Sequence, residues 1–554
     1  METQYDFDDI VNRRNTNCGR WDTMDKKYGT RDMIHLGVAD MDFRAPVEIR
    51  DSLHKILDMG VLGYTDLSDK FFLSIQRWYK KQYNMDIPRE WIVFCPRINI
   101  ASSICVETYT EKGDGIIMHT PAYGPLQNSI LKNNRKMLSS PLKKNGEHYE
   151  MDFAQMESMV DEHTKMMILC NPHNPTGRAW TKEELVQVAD FCREHDLILF
   201  TDEIHGDLMK AGVRHQTALD VTEEMNDRLI LASSPTKTFN IPGVIVSYMI
   251  IPNEKLRKEI EVTIDRIGMH NPTIFAVTAV EKAYTECDDW YEAVKKYIDA
   301  NEVFTRDFFA KHFPEFHVYP REGTYLLWID YQKTGLTEQK LEEWFLKKAN
   351  VSVYMGSVFG EDGRGCIRLN LASPRKVLDE AYNRMLKVWK DAHPDINLPY
   401  DEYKGYHAMA LTACLGMGDE EIMELLPGKT DASKALIVGL RSWDEGMQER
   451  QRKLGIKELS PQEVANDRTK IMEWLKSTGV SKVVIHFDMD VLDPAEIIAA
   501  VGIEPNGMKI EEVVRIINDI SSEYDLVGLT VAEPMPRVAI KLRNMLNQLP
   551  LLKD

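Results

Sequence analysis

Short apolar segments alternate with amphipathic stretches between about residue 48 and residue 290. Their Ile-, Leu-, Val- and Phe-rich composition is typical of strands buried on both faces. We predict strands at 91–95, 115–120, 166–170, 197–203, 228–234 and 246–251. Helices are predicted between them, for example over 182–195, where apolar residues recur about every 3.6 positions. This alternation predicts a mainly parallel sheet covered by helices on both faces, and such sheets bind ligands at the carboxyl ends of their strands.

The pattern of elements changes near residue 290. We predict, in chain order, a helix over 290–313, a strand over 323–330, a helix over 337–350, strands over 351–356 and 365–372, and a helix over 374–390. From Asp391 the chain alternates again, with a turn-like start and strands over 434–442, 482–490 and 525–533. The expected α/β protein therefore has three parts. These are a large domain over 48–290, a small α+β domain formed by 1–47 and 291–390, and a further α/β unit over 391–554.

Charge and cysteine content narrow the classes of function. The 554 residues include 68 Lys and Arg and 87 Asp and Glu, a formal net charge of −19, which disfavours nucleic-acid and membrane-surface partners. The first residues are too polar for a signal peptide, and no apolar run approaches the ~18 residues that span a bilayer. The eight cysteines are scattered without a CxxC pair. This predicts a cytoplasmic protein with reduced thiols.

Three polar motifs follow three of the predicted strands. NPHNPTG occupies 171–177, DEIH occupies 202–205 and SSPTKTFNIPG occupies 233–243. Pyridoxal phosphate chemistry requires an amine, an anion facing the pyridine nitrogen and a group that binds the phosphate. The residues of these types in the motifs are, in that order, Lys237, Asp202, and Ser234 with Thr236, while Asn174 is a candidate donor to the ring 3-oxygen. Their placement after strands predicts a pyridoxal phosphate site.

Residues 1–390 resemble the fold-type I pyridoxal phosphate enzymes of the aminotransferase class I and II superfamily. Within it they are most similar to the cystathionine β-lyase (MalY/PatB-type) C–S lyases. The matching segments are VADMDF (38–43), GYTD (63–66), TPAYGP (120–125), CNPHNPTGR (170–178), TDEIHGDL (201–208), KTFNIPG (237–243), GTYLLWID (323–330) and IRLNLASPR (367–375).

This resemblance implies a role for each matching residue. Lys237 would hold the cofactor covalently and move the Cα proton of the substrate, and Asp202 would keep the ring nitrogen protonated. Tyr123 would stack on the ring, and Arg368 would bind the substrate carboxylate through a bidentate contact. Tyr64 would reach the cofactor phosphate of the neighbouring subunit, so the resemblance also implies a homodimer.

The sequence departs from that family at two places. The turn before the phosphate-binding helix, CPRINIASS (95–103), contains no glycine. We expect the helix amides to bind the phosphate there, with Arg97 and Ser102 nearby. Gly37 stands where the branch commonly has a bulky aromatic residue, which predicts an enlarged substrate pocket.

Carboxylates and a histidine alternate in two later segments, DAHPDIN (391–397) and HFDMDVLDP (486–494). On an extended segment, alternate side chains point to one side. Carboxylate oxygens with an imidazole suit Mn²⁺, and bridging aspartates can hold a pair of ions that activates a water. The candidate metal ligands are Asp391, His393, Asp395, Asp488 and Asp490.

Residues 391–554 resemble the C-terminal half of the arginase/agmatinase (ureohydrolase) family. Besides the two metal-type segments, GYHAMAL (405–411), GLRSWDEG (439–446) and VAEPMP (531–536) match it. The resemblance implies His407 as a proton carrier, Asp444 near the substrate amino group and Glu533 as the partner of a guanidinium. Aminotransferase-like sequence stands where the family's first half, with its metal-binding histidine, would be. One of the two ions would therefore lack a ligand.

Together these features predict a pyridoxal phosphate-dependent β-lyase. It would cleave the Cβ–S bond of cystathionine or a related cysteine S-conjugate to a thiol, pyruvate and ammonia. An aminotransferase is the first alternative, because both reactions begin with removal of the same Cα proton. A regulatory protein that binds a transcription factor is the second alternative. A third is that the C-terminal unit is an active Mn²⁺-dependent ureohydrolase, which would make the chain bifunctional.

Overall fold

The computed structural model describes residues 5–221, 226–392, 415, 430–441, 451–467, 469–497, 505–532 and 539–552. The chain divides into two compact units, Met1–Trp389 and Lys390–Asp554. Among the described residues, no helix has both the length and the apolar character needed to cross a membrane.

The first unit contains the longest described helix, Asp288–His312, and all strands of the large sheet. Its helices are α1 (Asp22–Tyr28), α2 (Val47–Met59), α3 (Asp69–Tyr83), α4 (Ile98–Tyr109), α5 (Gly124–Leu131), α6 (Phe153–Met159), α7 (Lys182–Glu194), α8 (Pro235–Thr238), α9 (Glu254–Arg266), α10 (Ile274–Glu286), α11 (Asp288–His312), α12 (Glu338–Glu342) and α13 (Arg375–Ala392). Its strands are β1 (Ile34–His35), β2 (Ile92–Cys95), β3 (Gly115–Thr120), β4 (Lys136–Pro141), β5 (Lys143–Asn145), β6 (His148–Glu150), β7 (Thr164–Cys170), β8 (Ile198–Asp202), β9 (Leu229–Ser233), β10 (Ser247–Ile250), β11 (His317–Val318), β12 (Leu326–Asp330), β13 (Val351–Ser352), β14 (Tyr354–Met355) and β15 (Cys366–Asn370).

Seven strands form one large sheet in the order β2-β10-β9-β8-β7-β3-β4. The pairs from β9 to β4 are parallel, and β10 runs antiparallel to both of its neighbours. Six of these strands coincide with the apolar segments of the sequence. The sequence prediction lacked β4, because KMLSSP at this sheet edge has too few apolar residues to stand out.

The core of this unit lies on the large sheet. Side chains such as Ile116, Met166, Phe200 and Ile230 are fully buried and pack in one cluster with residues of α4, α5 and α9. A parallel sheet covered by helices buries both faces of its strands, so the strands read as continuous apolar runs. The ends of these strands are therefore held in fixed positions by close packing.

A second, antiparallel sheet has the order β11-β12-β15-β14, and β1 pairs with β13 in a two-stranded parallel ladder. The structure corrects two predictions here. The helix predicted over 337–350 is α-helical only in α12 and continues as a π-helix over Glu343–Lys348. The strand predicted over 351–356 is two short strands that pair with different partners, β1 and β15. Tertiary pairing decides the second, because side-chain periodicity does not reveal which neighbour a short strand meets. Nothing in the sequence marks the change to a π-helix.

Helix α13 extends further than the sequence predicted. It continues through Asp391 to Ala392, where a turn-like segment with Asp391 on extended backbone was expected. The physical reason lies in Pro394, which disfavours helical backbone at the residue before it but not earlier. Asp391 therefore lies on a helix.

Two parallel strand pairs and four helices make up much of the described part of the second unit. β16 (Leu436–Val438) pairs with β17 (Lys457–Leu459), and β18 (Lys482–Asp488) pairs with β19 (Asp525–Ala532). The helices are Pro461–Asn466, Lys470–Thr478, Ile510–Glu523 and Ala539–Leu546. Apolar residues of these helices and strands form a separate cluster, which includes Leu475, Phe487 and Ile517.

Candidate active site

Three neighbouring strands bring the three polar motifs of the sequence together. Strands β7, β8 and β9 are adjacent and parallel, with Cys170 opposite Asp202 and Asp202 opposite Ala232. The loops that follow β7 and β9 therefore start level with Asp202, at the same edge of the sheet. This register explains why motifs separated by about thirty residues in sequence meet in one place.

A cavity of about 180 Å³ lies at this edge. Seven residues singled out from the sequence line it: Arg97, Tyr123, Asn174, Asp202, Ser234, Thr236 and Lys237. An amine, a carboxylate, an amide, two hydroxyls and an aromatic ring thus surround one space. This set fits pyridoxal phosphate, whose chemistry uses an amine and an anion facing the ring nitrogen.

Lys237 lines the cavity, and its side chain is only partly exposed. Its Nζ donates a hydrogen bond to the carbonyl oxygen of Ala39, which also accepts one from the Tyr325 hydroxyl at 3.0 Å. Burial lowers the pKa of Lys237 to about 8; the charge of Asp40 opposes this effect and that of Arg368 adds to it. With this pKa, roughly a tenth of the amine is neutral at pH 7, and the neutral amine is the form that attacks an aldehyde.

Asp202 ends β8 and is 4% exposed. Its Oδ1 accepts the main-chain N–H of Ile204 at 3.1 Å. Burial raises the pKa of this carboxyl to about 7, against the lowering effect of that hydrogen bond. A protonated ring nitrogen opposite Asp202 would favour the carboxylate form, since an opposite charge offsets the cost of burial.

Ser234 and Thr236 lie at the start of α8, and their hydroxyls are bonded within the protein. Ser234 donates to the carbonyl oxygen of Val246 at 2.6 Å and accepts the main-chain N–H of Thr236 at 3.1 Å. The two hydroxyl oxygens are 2.8 Å apart. Because the one proton of Ser234 is donated to Val246, Thr236 is the donor in this pair.

Arg368, on β15, is 1% exposed and reaches the cavity residues from the smaller sheet. Nη1 donates to Oδ1 of Asn174 at 2.7 Å, and Nη2 donates to the carbonyl oxygen of Gly37 at 2.8 Å. Its Nε is buried and has no partner among the described residues. Burial lowers the pKa of Arg368 to about 10, so the guanidinium stays charged at neutral pH. It can therefore accept a carboxylate ligand.

The segment VADMDF passes over Lys237 and is held by two asparagines. Asn240, three residues after the lysine, donates to the carbonyl oxygens of Met41 and Phe43 at 3.0 and 2.7 Å. Asn370 donates to those of Val38 and Asp40, both at 2.7 Å. These bonds fix the Ala39 carbonyl that holds the amine.

The structure contradicts two expectations drawn from the places where the sequence departs from the family. One concerns Ser102 near the phosphate, and the other concerns the pocket beside Gly37. Ser102 is fully buried on α4, and its hydroxyl is 2.7 Å from that of Ser129, so it does not line the cavity, whereas Arg97 does. Gly37 does not open a larger pocket, because a Cβ at this position would lie 2.7 Å from Cδ1 of Tyr354. The tyrosine ring fills the space that the glycine leaves.

Tyr64 does not line the cavity of its own chain. Its side chain is fully exposed, at 104% of the reference area. A role at the phosphate of a neighbouring subunit stays a prediction.

His205 lines the cavity but was not singled out from the sequence. It is 3% exposed, and its Nδ1 has no partner among the described residues. Burial, with the charges of Lys237 and Arg368, lowers its pKa well below the usual value, so the ring is neutral. The sequence feature that could have identified His205 is its position in DEIH, three residues after Asp202 at a strand end.

Most of the predicted site residues of the second unit lie outside the described residues: His393, Asp395, His407, Asp444 and Glu533. Of the remaining candidates, Asp488 ends β18, and its Oδ1 accepts the main-chain N–H of Asp490 at 3.4 Å. Within the described ranges, no group of three or more His, Cys, Asp or Glu side chains could hold a metal ion. The Mn²⁺ site stays a prediction.

Comparisons with known proteins give two family matches. The family described as aminotransferase class I and II matches residues 31–385, and the arginase family matches residues 369–545. The cystathionine β-lyase PatB of Bacillus subtilis (strain 168) is 33% identical over 380 residues, which cover 68% of this chain and 98% of PatB.

Solved structures match the same part of the chain. A PLP-bound putative aminotransferase from Clostridium difficile 630 is 36% identical with a TM-score of 0.68, and the match covers 69% of this chain and 99% of that one. Cystalysin from Treponema denticola, which contains a pyridoxal 5′-phosphate cofactor, is 35% identical with a TM-score of 0.68. That match covers 70% of this chain and 100% of cystalysin.

Proposed function

Since the chain belongs to the aminotransferase class I and II family, we propose that its first unit is a pyridoxal phosphate-dependent C–S lyase. It would convert cystathionine or a related cysteine S-conjugate, with water, to a thiol, pyruvate and ammonia. The observation that carries this proposal is the amine of Lys237 in one cavity with the carboxyl of Asp202. Similarity to the cystathionine β-lyase PatB favours the lyase over other reactions of the family.

Each residue of the site would have a separate role in the reaction. The bound cofactor would supply an electron-withdrawing ring at the substrate Cα. Lys237 would bind the cofactor aldehyde and then accept the Cα proton, for which its lowered pKa is suited. Asp202 would hold a proton on the ring nitrogen, and Arg368 would orient the substrate through its carboxylate.

The remaining cavity residues would orient the cofactor. The amide oxygen of Asn174 is already bonded to Arg368, so its amide N–H groups are left to donate to the ring 3-oxygen. Tyr123, which lines the cavity with its hydroxyl pKa raised by burial, would pack against the ring. Ser234 and Thr236 would face the phosphate.

Replacement of the lysine tests this proposal. Lys237→Ala should lose the visible absorbance of the lysine-bound cofactor, near ~420 nm, and all pyruvate release. Lys210→Ala, which removes a lysine amine outside the cavity, should keep both, and circular dichroism should show that both variants fold. Lys237→Ala protein that retains either signal would contradict the assignment.

An aminotransferase is the second candidate, favoured by the similarity to the putative aminotransferase of Clostridium difficile. The lyase and transaminase reactions differ in whether they require a keto-acid acceptor. A lyase releases pyruvate from cystathionine without an acceptor, whereas a transaminase needs a keto acid to complete its cycle. If product forms only after a keto acid is added, the transaminase assignment replaces the lyase.

We also propose that the active unit is a homodimer. Leu57, Met59, Val61, Leu62 and Tyr64 are all exposed on one short stretch of chain, and such apolar surface is typical of a protein interface. Tyr64 would then contact the cofactor phosphate of the partner subunit.

Hybrid dimers test this arrangement. Lys237→Ala and Tyr64→Ala chains, each of low activity, should regain about a quarter of the wild-type activity when co-expressed, because half of the dimers then have one intact site. Light scattering should give the mass of two chains. No recovery in verified hybrids would refute the role of Tyr64.

For the second unit, we propose weak binding of Mn²⁺ without independent hydrolysis of arginine. Support comes from the arginase family match and from the carboxylates and histidine of its sequence. Within the described ranges, no cluster of metal-binding side chains supports a catalytic step there.

We further propose a cytoplasmic location. In the described part of the chain, seven cysteines have free thiols: Cys18, Cys95, Cys105, Cys170, Cys192, Cys287 and Cys366. Free thiols are typical of reducing compartments. Fractionation of the expressing cells tests the location.

A further inference from the structure

Arg97 stands at the mouth of the cavity as the N-terminal flanking residue of α4. Its carbonyl oxygen accepts the N–H groups of Ile100 and Ala101 at 3.0 and 2.9 Å, while its side chain forms no capping bond. The side chain is exposed, lines the cavity and has no hydrogen-bond or ion-pair partner among the described residues. The guanidinium of Arg97 therefore lies beside the cavity, and no acceptor among the described residues binds it.

The cavity contains few other groups able to balance an anion. Among its described lining residues, the cations are Lys237 and Arg97, and His205 is neutral. The amine of Lys237 would be used in the bond to the cofactor aldehyde, and Asp202 adds negative charge. Among the described lining residues, a phosphate bound here would therefore depend on Arg97 for positive charge.

The hydroxyls of Ser234 and Thr236 do not replace Arg97 as donors to a phosphate. The proton of Ser234 is donated to Val246, and that of Thr236 is donated to Ser234. Neither hydroxyl can donate to a phosphate until its present bond is broken. The donors left at this side of the cavity are therefore the first main-chain N–H groups of α4 and the side chains of Arg97 and Asn99, and of these only the guanidinium carries a full charge.

We propose that Arg97 binds the phosphate group of the cofactor, together with the N-terminal amides of α4. This inference rests on the proposed function and assigns a chain-specific role to a residue in the glycine-free turn. Guanidinium and phosphate are matched in charge and in geometry, because two parallel N–H groups can donate to two phosphate oxygens. The helix end adds positive potential at the same place.

A comparison of two aldehydes tests the proposal. Pyridoxal 5′-phosphate and pyridoxal share the ring and aldehyde, and only the first carries the phosphate. Arg97→Ala should weaken the binding of pyridoxal 5′-phosphate ~10- to 100-fold, the effect of losing a charged hydrogen bond, and leave that of pyridoxal unchanged. Arg97→Lys should recover part of the loss because it keeps the charge. Dissociation constants come from titration of the visible band of apo-protein, without any activity measurement.

Two controls make the result specific. Lys112→Ala removes one exposed positive charge beyond the other end of α4 and should leave both affinities unchanged. Arg97→Gln provides a second uncharged variant that keeps part of the side chain, in case Arg97→Ala fails to fold.

Two outcomes would contradict different conclusions. Wild-type protein that binds neither aldehyde would overturn the proposed function. Wild-type protein that binds both, with an Arg97 variant whose affinity for pyridoxal 5′-phosphate is unchanged, would overturn only the role of Arg97. Equal weakening for both aldehydes would also overturn it, since the effect would not involve the phosphate.

Discussion

Substitution of Gly37 should disturb the binding site for the substrate carboxylate through Tyr354. A Cβ added at Gly37 would lie 2.7, 3.0 and 3.2 Å from Cδ1, Cε1 and Cγ of the tyrosine ring. Carbon atoms normally approach to about 3.5–4.0 Å, so the ring must move by roughly 1 Å. The ring also contacts Arg368, whose guanidinium carbon lies 5.0 Å from the ring centroid.

The ring has little room to move. Tyr354 pairs with Arg368 across β14 and β15, and Phe359 covers the guanidinium with its ring centroid 4.7 Å away. We therefore expect Gly37→Ala to destabilise the first unit by about 1–3 kcal/mol, the range for an overpacked core. Since the Gly37 carbonyl accepts a hydrogen bond from Arg368, the KM for the amino acid should also rise.

A double-mutant cycle measures this contact. Gly37→Ala, Tyr354→Ala and the double variant are unfolded in urea and followed by the visible band of the cofactor, which reports on the first unit. With the ring removed, the added methyl group should cost almost nothing, so the coupling free energy should equal most of the single-variant loss. Gly19→Ala, where a Cβ meets no atom within 4 Å, should change stability by less than about 0.5 kcal/mol. Additive effects of the two substitutions would refute the reasoning.

Three further predictions concern the amine, the guanidinium and the metal. Because burial lowers the pKa of Lys237 to about 8, the rate of pyridoxal capture by apo-protein should rise with pH through about 8. A stopped-flow midpoint near 10.5, the ordinary lysine value, would contradict this. Arg368→Lys should raise the KM ~10-fold and change kcat little, since a point charge replaces a bidentate donor; steady-state kinetics would disagree if kcat alone fell. Metal analysis should find at most about one Mn²⁺ per chain, with urea release from arginine near background. Two tightly bound ions with robust urea production would show that the missing histidine is replaced.

The sequence by itself determined the main features of the large sheet. Six of its seven strands are mostly buried on both faces, so each of these is a continuous apolar run that can be recognised locally, whereas the edge strand β4 is not. The motifs around Asn174, Asp202 and Lys237 follow such strands directly, and parallel strands end at the same edge of a sheet. The cluster at the cavity could therefore be predicted without coordinates.

Only the tertiary structure decided the contacts between distant segments. The side chain of Arg368 meets Asn174 across 194 positions of sequence, and Tyr354 fills the space beside Gly37. The sequence prediction placed Ser102 near the phosphate, but it faces Ser129 instead. Such contacts depend on how packed helices and sheets orient each side chain, and local propensity and periodicity contain no information about that orientation.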